Sequence, residues 1–444
     1  MSGGMTRDWS ALPSANSLWE ATAEPARAFP VLSGERQADV VIIGAGYTGL
    51  SAAHHIAKSG LSPVVLEANR PGWGASGRNG GVITAKFRLS FREIDAAHGR
   101  AMAQRMYEIA HESTDMVEEL VSEFGIASAA LTRTGQVKAA HNETTLKAAI
   151  DEANWMTREM GSAEVRILDK RGVRDETGSD IFVGGVLNPG SGGIHPLNYL
   201  RGLADGVARR GVPIFQESPV VKLRRENGGI VAETPQGAVR AKQAIIATNS
   251  YSDLTSATAH MQRTLIPFRS AMVATEQLSR NLAGKLMPTG RTYTETKRMM
   301  RWFRMVDNRV IFGGRGAFGK QDSQAAFDAF AQGDDRHLPR SRRCAARLQM
   351  VGPRRDDDGL GAAYRSARRP HAGLDGLQRR GCCDVEPDGP LSRRLCARRD
   401  AGGRAARYQA HEGDPVLSAA RARRAHGRRL VPVSRCDRSV RSLW

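Results

Sequence analysis

The sequence predicts an α/β fold whose parallel sheet is assembled from separated stretches of chain, and three observations predict it. An apolar strand at residues 40–43 runs straight into Gly44-Ala-Gly-Tyr-Thr-Gly49 and then a helix. A second strand, at 64–66, ends in an acid, Glu67, placed 23 residues beyond Gly44. Far downstream, a helix at 197–210 and strands at 212–215, 218–224, 229–233 and 237–247 supply further pieces of one sheet.

Each piece follows from its residues. The run Val40 to Ile43 is a buried parallel strand by pattern. Gly44 permits a tight turn, Gly46 lets backbone approach a pyrophosphate, and Gly49 lets the helix lie close to the sheet. That helix, from about Thr48 to Ser59, presents Leu50, Ala53, Ile56 and Ala57 on its apolar face and stops at Gly60. Its N-terminus supplies unpaired amides and a field that favours phosphate. Ala45, Tyr47, Thr48 and Ala68 complete the nucleotide side. Glu67 suits the two hydroxyls of a ribose and repels a 2′-phosphate, so FAD or NAD fits better than NADP. The unit is Rossmann-like.

The segment 71–81 has five glycines in eleven residues. Such a loop is costly to order unless it lies against something flat or phosphorylated. It can run beside an extended dinucleotide with Gly74, Ala75, Ser76 and Gly80, bringing Arg78 and Asn79 toward an isoalloxazine ring. This separates FAD from NAD. The stretch 237–247 reads as a strand pair ending in Ala247-Thr248 beneath the dinucleotide. Val220 or Val221 is placed to meet adenine with its backbone. Between these pieces, residues 93–124 and 144–159 read as helices whose methionines are core filler.

The chain has 444 residues, 41% hydrophobic, and no apolar run near the 18 that a membrane span needs. That bounds it to one large or two to three ordinary domains. No basic start, apolar stretch and small-residue cleavage site open the sequence, so the expected location is cytoplasmic. The net charge of +19 invites a nucleic-acid partner, but 26 arginines against 13 acids fall after residue 330. All five cysteines fall there too, without metal-ligand spacing, so no metal site is expected. After Lys320 there is no lysine, isoleucine, asparagine or threonine. A disordered basic arm on a polyanion is one reading of this tail. The joint loss of four residue types favours the other, an out-of-frame translation of a GC-rich gene beginning between about Asp334 and Ser341. Nucleic acid is therefore not the expected partner.

Taken with Ser17-Leu-Trp-Glu-Ala-Thr-Ala23, Gly193-Ile-His-Pro196, Ala247-Thr-Asn-Ser-Tyr251 and Ile311-Phe-Gly-Gly-Arg315, the fingerprint and the loop 72–81 resemble the FAD-dependent amine and amino-acid oxidases of the D-amino-acid oxidase superfamily. The resemblance is to the glycine/sarcosine-oxidase-like group, nearest the gamma-glutamylputrescine oxidases, and covers about residues 10–330. It implies FAD, an amine or amino-acid substrate oxidised at its C–N bond by hydride transfer to flavin, and O2 as acceptor giving H2O2. It also implies an α+β substrate domain with an antiparallel sheet over the flavin, from residues 180–193 and 266–314. The expected division is 1–36 an N-terminal extension, 37–92 and 194–255 the FAD domain, 93–193 and 256–330 the substrate side, and 331–444 the tail. Beyond about residue 335 the family's last return into the FAD domain is not matched, so a cofactor-poor or inactive product is the competing reading.

Three residues are candidates for the chemistry: Arg78, His195 and Trp302. Histidine titrates near neutrality, yet Pro196 and the helix after it point to a structural role for His195. Trp302 suits a cavity wall or an ordinary strand equally.

Overall fold

The structure, a computed structural model, describes residues 17–318 apart from 163–164, 266 and 298–299, together with strands at 346–355 and 372–373. Ser17 caps helix α1 (Leu18–Thr22) by accepting the Glu20 amide. Strand β1 (Gly34–Ile43) is exposed and charged at first and buried over its last four residues. It turns through glycines into helix α2 (Tyr47–Lys58), followed by β2 (Pro63–Leu66). Val40 and Ile42 enter one core and Val41 and Ile43 another, as in a parallel strand covered on both faces.

After β3 (Val82–Ile83) a Ser90 and Glu93 capping box starts α3 (Phe91–His98). Next come α4 (Arg100–Phe124), which ends at left-handed Gly125, β4 (Gln136–Ala140) and α5 (Glu143–Met160). The strands β5 (Arg166–Leu168), β6 (Gly184–Asn188) and β7 (Gly192–Gly193), with helix α6 (Lys170–Thr177), lead to α7 (Pro196–Arg209). Four strands follow: β8 (Ile214–Phe215), β9 (Lys222–Glu226), β10 (Gly229–Glu233) and β11 (Gly237–Ile246). The last set is β12 (Pro267–Thr275), α8 (Arg280–Lys285), β13 (Thr292–Glu295), β14 (Arg301–Val306), β15 (Arg309–Phe318), β16 (Ala346–Arg355) and β17 (Ala372–Gly373).

Two large sheets result. The first has seven strands in the order β8-β2-β1-β11-β10-β9, with β17 also on β11. Its β8, β2, β1, β11 and β17 are parallel, while β10 and β9 run antiparallel. The second has eight strands, β16-β12-β15-β14-β13-β4-β6-β5, antiparallel except for the parallel pair β13 and β4. Leu18, Trp19, Leu197, Met272, Trp302 and Ile311 form the apolar seam between the second sheet, α1 and α7.

The structure revises several expectations. Residues 237–246 make one strand: they hold no turn residue after Gly237, and they pair with β1 from Gly34 opposite Gly237 to Ile43 opposite Ile246. The charges that break up its pattern are paired, Arg240 with Glu35 and Glu226 and Lys242 with Asp39. The helix expected at 93–124 is two, divided at Gly99 with φ +85°. Within the N-terminal stretch, Leu18 and Trp19 are fully buried. The five cysteines and most of the tail lie outside the described residues, and within that tail β16 lies antiparallel to β12 and β17 parallel to β11.

Candidate cofactor and active site

The parallel pairing of β1 with β2 and β11 brings three separated residues together. Gly44 lies where β1 ends, its amide donating to Leu66, and Ala247 donates to Ile43 from the next strand. A side chain on Gly44 would meet the Ala247 carbonyl oxygen at 2.6 Å. One on Gly49 would lie 1.9 Å from the Gly44 oxygen, so only glycine lets α2 start this close to the turn. The carboxylate of Glu67 leaves the end of β2 and accepts the Ala45 amide at 2.8 Å and the Asn69 amide at 2.9 Å. Burial pushes its pKa up, and the amide bonds from Asn69, Ala45 and Ala68 pull the other way.

The loop 71–81 folds back over this turn. Ser76 Oγ accepts the Tyr47 amide at 3.2 Å, in the first turn of α2. Asn79 is turned inward: its Nδ2 donates to the Ser76 carbonyl and its Oδ1 accepts the Gly81 amide, both at 2.8 Å. Arg78 lies over the Trp73 ring at 4.7 Å, and Trp73 meets Tyr251 edge-on at 5.4 Å. Burial pushes the Arg78 guanidinium down from its usual range, opposed by Tyr251 and Glu20. Gly74 faces the Tyr251 ring, which a side chain there would approach to 3.3 Å.

Two of the three candidates for chemistry, His195 and Trp302, are buried among neighbouring groups. His195 is the N-cap of α7 and 8% exposed. Its Nδ1 accepts the Asn198 amide at 3.2 Å, so the ring proton sits on Nε2, which donates to Thr22 Oγ1 at 3.1 Å. Thr22 Oγ1 in turn donates a hydrogen bond to the Leu18 carbonyl at 2.6 Å. Burial holds the His195 pKa at about 4, with the Arg304 and Arg201 charges acting in the same direction. Both ring nitrogens are engaged in hydrogen bonds. Trp302 is 6% exposed and wedged between Gly80 and Gly313, where side chains would reach its ring at 2.8 and 2.4 Å. It fills the seam between the second sheet and the glycine loop. Of the adenine candidates, Val220 is buried, while the Val221 amide donates to the Glu233 carbonyl and its own carbonyl accepts from Ser256 Oγ.

The profile of the family described as DAO, FAD dependent oxidoreductase, matches residues 39–383. The chain belongs to this family. Among curated proteins, it is 34% identical to a probable oxidoreductase OrdL of Haemophilus influenzae over 288 residues, 64% of this chain and 66% of that one. It is 30% identical to gamma-glutamylputrescine oxidoreductase of Escherichia coli over 308 residues, 69% and 71% of the two chains. Among solved structures, glycine oxidase from Geobacillus kaustophilus superposes with a TM-score of 0.69 at 20% identity, over 85% of this chain and 99% of that one, a likeness of fold.

The DAO family's cofactor is FAD, and the residues present fit it. A turn stripped of side chains at Gly44 and Gly46, the first-turn amides of α2, and an acceptor-only carboxylate at Glu67 match phosphate and ribose hydroxyls respectively. Ala247 and Thr248 border the same turn from β11, with Thr248 bonded to Ser252 at 2.6 Å. Two residues of the site were not singled out from the sequence. Arg304, 7% exposed on β14, donates to the carbonyls of Gly81 and Ile194, tying the second sheet to the loop. Trp19 donates its indole N–H to the Asn79 carbonyl at 2.8 Å. A buried arginine on a strand is the one sequence signal that could have marked the first. The second lies in the stretch 17–23 that carries part of the family resemblance. Among the described residues no helix is long and apolar enough to cross a membrane, and no cluster of metal ligands occurs.

Proposed function

We propose that this DAO-family chain oxidises a carbon–nitrogen bond of a small amine or amino acid, with a gamma-glutamylputrescine-like amine as the first candidate. The overall reaction is R–CH2–NH–R′ with O2 and water, giving the aldehyde R–CHO, the amine R′–NH2 and H2O2. The observation that carries this reading is the unit from Gly44 to Glu67 with the loop 71–81 folded over it, inside the residues matched by the family profile. The E. coli relative's name supports the choice of first substrate. FAD, when bound, supplies the two-electron acceptor. The protein's part is to bind and orient. Glu67 would accept from the ribose hydroxyls, the glycine turn and the start of α2 would receive the pyrophosphate, and Arg78 would stand in the loop on the flavin side.

A second reading is a cofactor-poor product, favoured by the change of composition after Lys320. One experiment separates the two. The purified 444-residue chain, with FAD added, is mixed anaerobically with gamma-glutamylputrescine, sarcosine and glycine in turn. Loss of flavin absorbance near about 450 nm with one of them, followed by peroxide on admitting air, supports the proposal. Protein that binds FAD but is bleached by none refutes the substrate class. Folded protein that takes up no FAD supports the second reading.

A further inference from the structure

We propose that Trp19 is a positioning residue for the flavin site, a clasp through which helix α1 sets the shape of the glycine loop. This rests on the assignment of FAD to the site. Trp19 is fully buried, and its indole N–H donates to the Asn79 carbonyl across 60 residues of sequence. From Asn79 the connection runs two ways. Its Nδ2 holds the Ser76 carbonyl and its Oδ1 holds the Gly81 amide. Ser76 in turn accepts the Tyr47 amide at the start of α2, where phosphate is received. A single bond from α1 is thus linked to the middle of the loop and to its far end.

The indole is itself held on several sides. His195 meets it edge-on at 4.9 Å, and the Arg304 guanidinium lies 5.5 Å over its ring. Arg304 also donates to Gly81 and Ile194, closing the loop's far end. Next to Trp19, Glu20 bridges Arg70, at the loop's approach, at 3.0 Å and Arg201 on α7 at 2.8 Å. Five glycines give this loop many conformations of similar energy, so its order has to come from outside. Phenylalanine would fill the same seam but lacks the donor, so the hydrogen bond to the Asn79 carbonyl is lost.

The test compares wild type with Trp19→Phe, Ser17→Ala and, as a control in a core remote from the loop, Val310→Ala. Hydrogen exchange of the Gly77, Arg78 and Gly81 amides is followed in the protein without FAD, and FAD dissociation constants are then measured by flavin fluorescence. Trp19→Phe is expected to speed exchange at these amides about tenfold and to weaken FAD about tenfold. Ser17→Ala, which frays α1 and keeps the indole, is expected to give about threefold in each. Val310→Ala lowers overall stability and is expected to move neither. Unchanged exchange in Trp19→Phe overturns the clasp. Faster exchange with FAD affinity within about twofold of wild type overturns its link to the cofactor. Equal effects in Val310→Ala reduce it to general destabilisation and overturn it as well. Wild type that binds no FAD overturns the cofactor assignment instead, and the exchange data still judge the clasp.

Discussion

Protonating His195 should unfold the junction it caps, and the cost can be worked out. The folded ring titrates at about 4 against 6.5 for a free histidine. The unfolded chain therefore binds the proton first as pH falls. The stability that neutral His195 contributes is fully present above pH 6.5 and is lost as pH drops toward about 4. Between pH 7.5 and 4.5 the linkage relation gives a loss on the order of 2 to 3 kcal/mol. The physical source is twofold: the ring is 8% exposed, and its Nδ1 already accepts the Asn198 amide, so a proton there would set donor against donor. His195→Asn is the informative variant, because an asparagine oxygen can still cap α7 but does not titrate. Urea unfolding of both proteins at the two pH values isolates the term from every other titrating group. Wild type should lose about 2 to 3 kcal/mol more than His195→Asn over this interval. Equal losses would refute the neutral, doubly bonded histidine.

Other substitutions test other joints of the site. Arg304→Met leaves the carbonyls of Gly81 and Ile194 without their charged donor and should lower the urea-derived stability by about 2 to 4 kcal/mol, with part of the loss offset because a buried charge is also removed. Gly80→Ala drives a methyl into the Trp302 ring, which Gly313 backs from the other side; it should cost about 1 to 3 kcal/mol, and combination with Trp302→Leu should recover part of that in a double-mutant cycle. Glu67→Gln replaces an acceptor-only group by one carrying donors, so FAD affinity measured by fluorescence titration should fall about tenfold or more while the fold persists. Gly49→Ala is expected to abolish FAD uptake, since the added carbon would sit 1.9 Å from the Gly44 oxygen.

The sequence alone determined the nucleotide half of this protein. A strand, glycine turn, helix, strand and acid form a local pattern in which each residue's part follows from backbone sterics and hydrogen bonding over 23 positions. The strands β9 and β10 were largely legible for the same reason, as they are neighbours in the chain, although β9 starts at Lys222 and not at 218. Only the tertiary structure decided the rest. That 237–246 is one strand follows from its pairing with β1, two hundred residues away, which neutralises charges that looked like interruptions. The single parallel pair in the second sheet, β13 with β4, joins segments more than 150 residues apart. Trp19, Asn79, His195 and Arg304 acquire their roles solely by meeting. A tryptophan near the N-terminus, a histidine before a proline and an arginine on a strand have no shared period or spacing. Their function is a set of long-range contacts, and those exist only after the chain has folded.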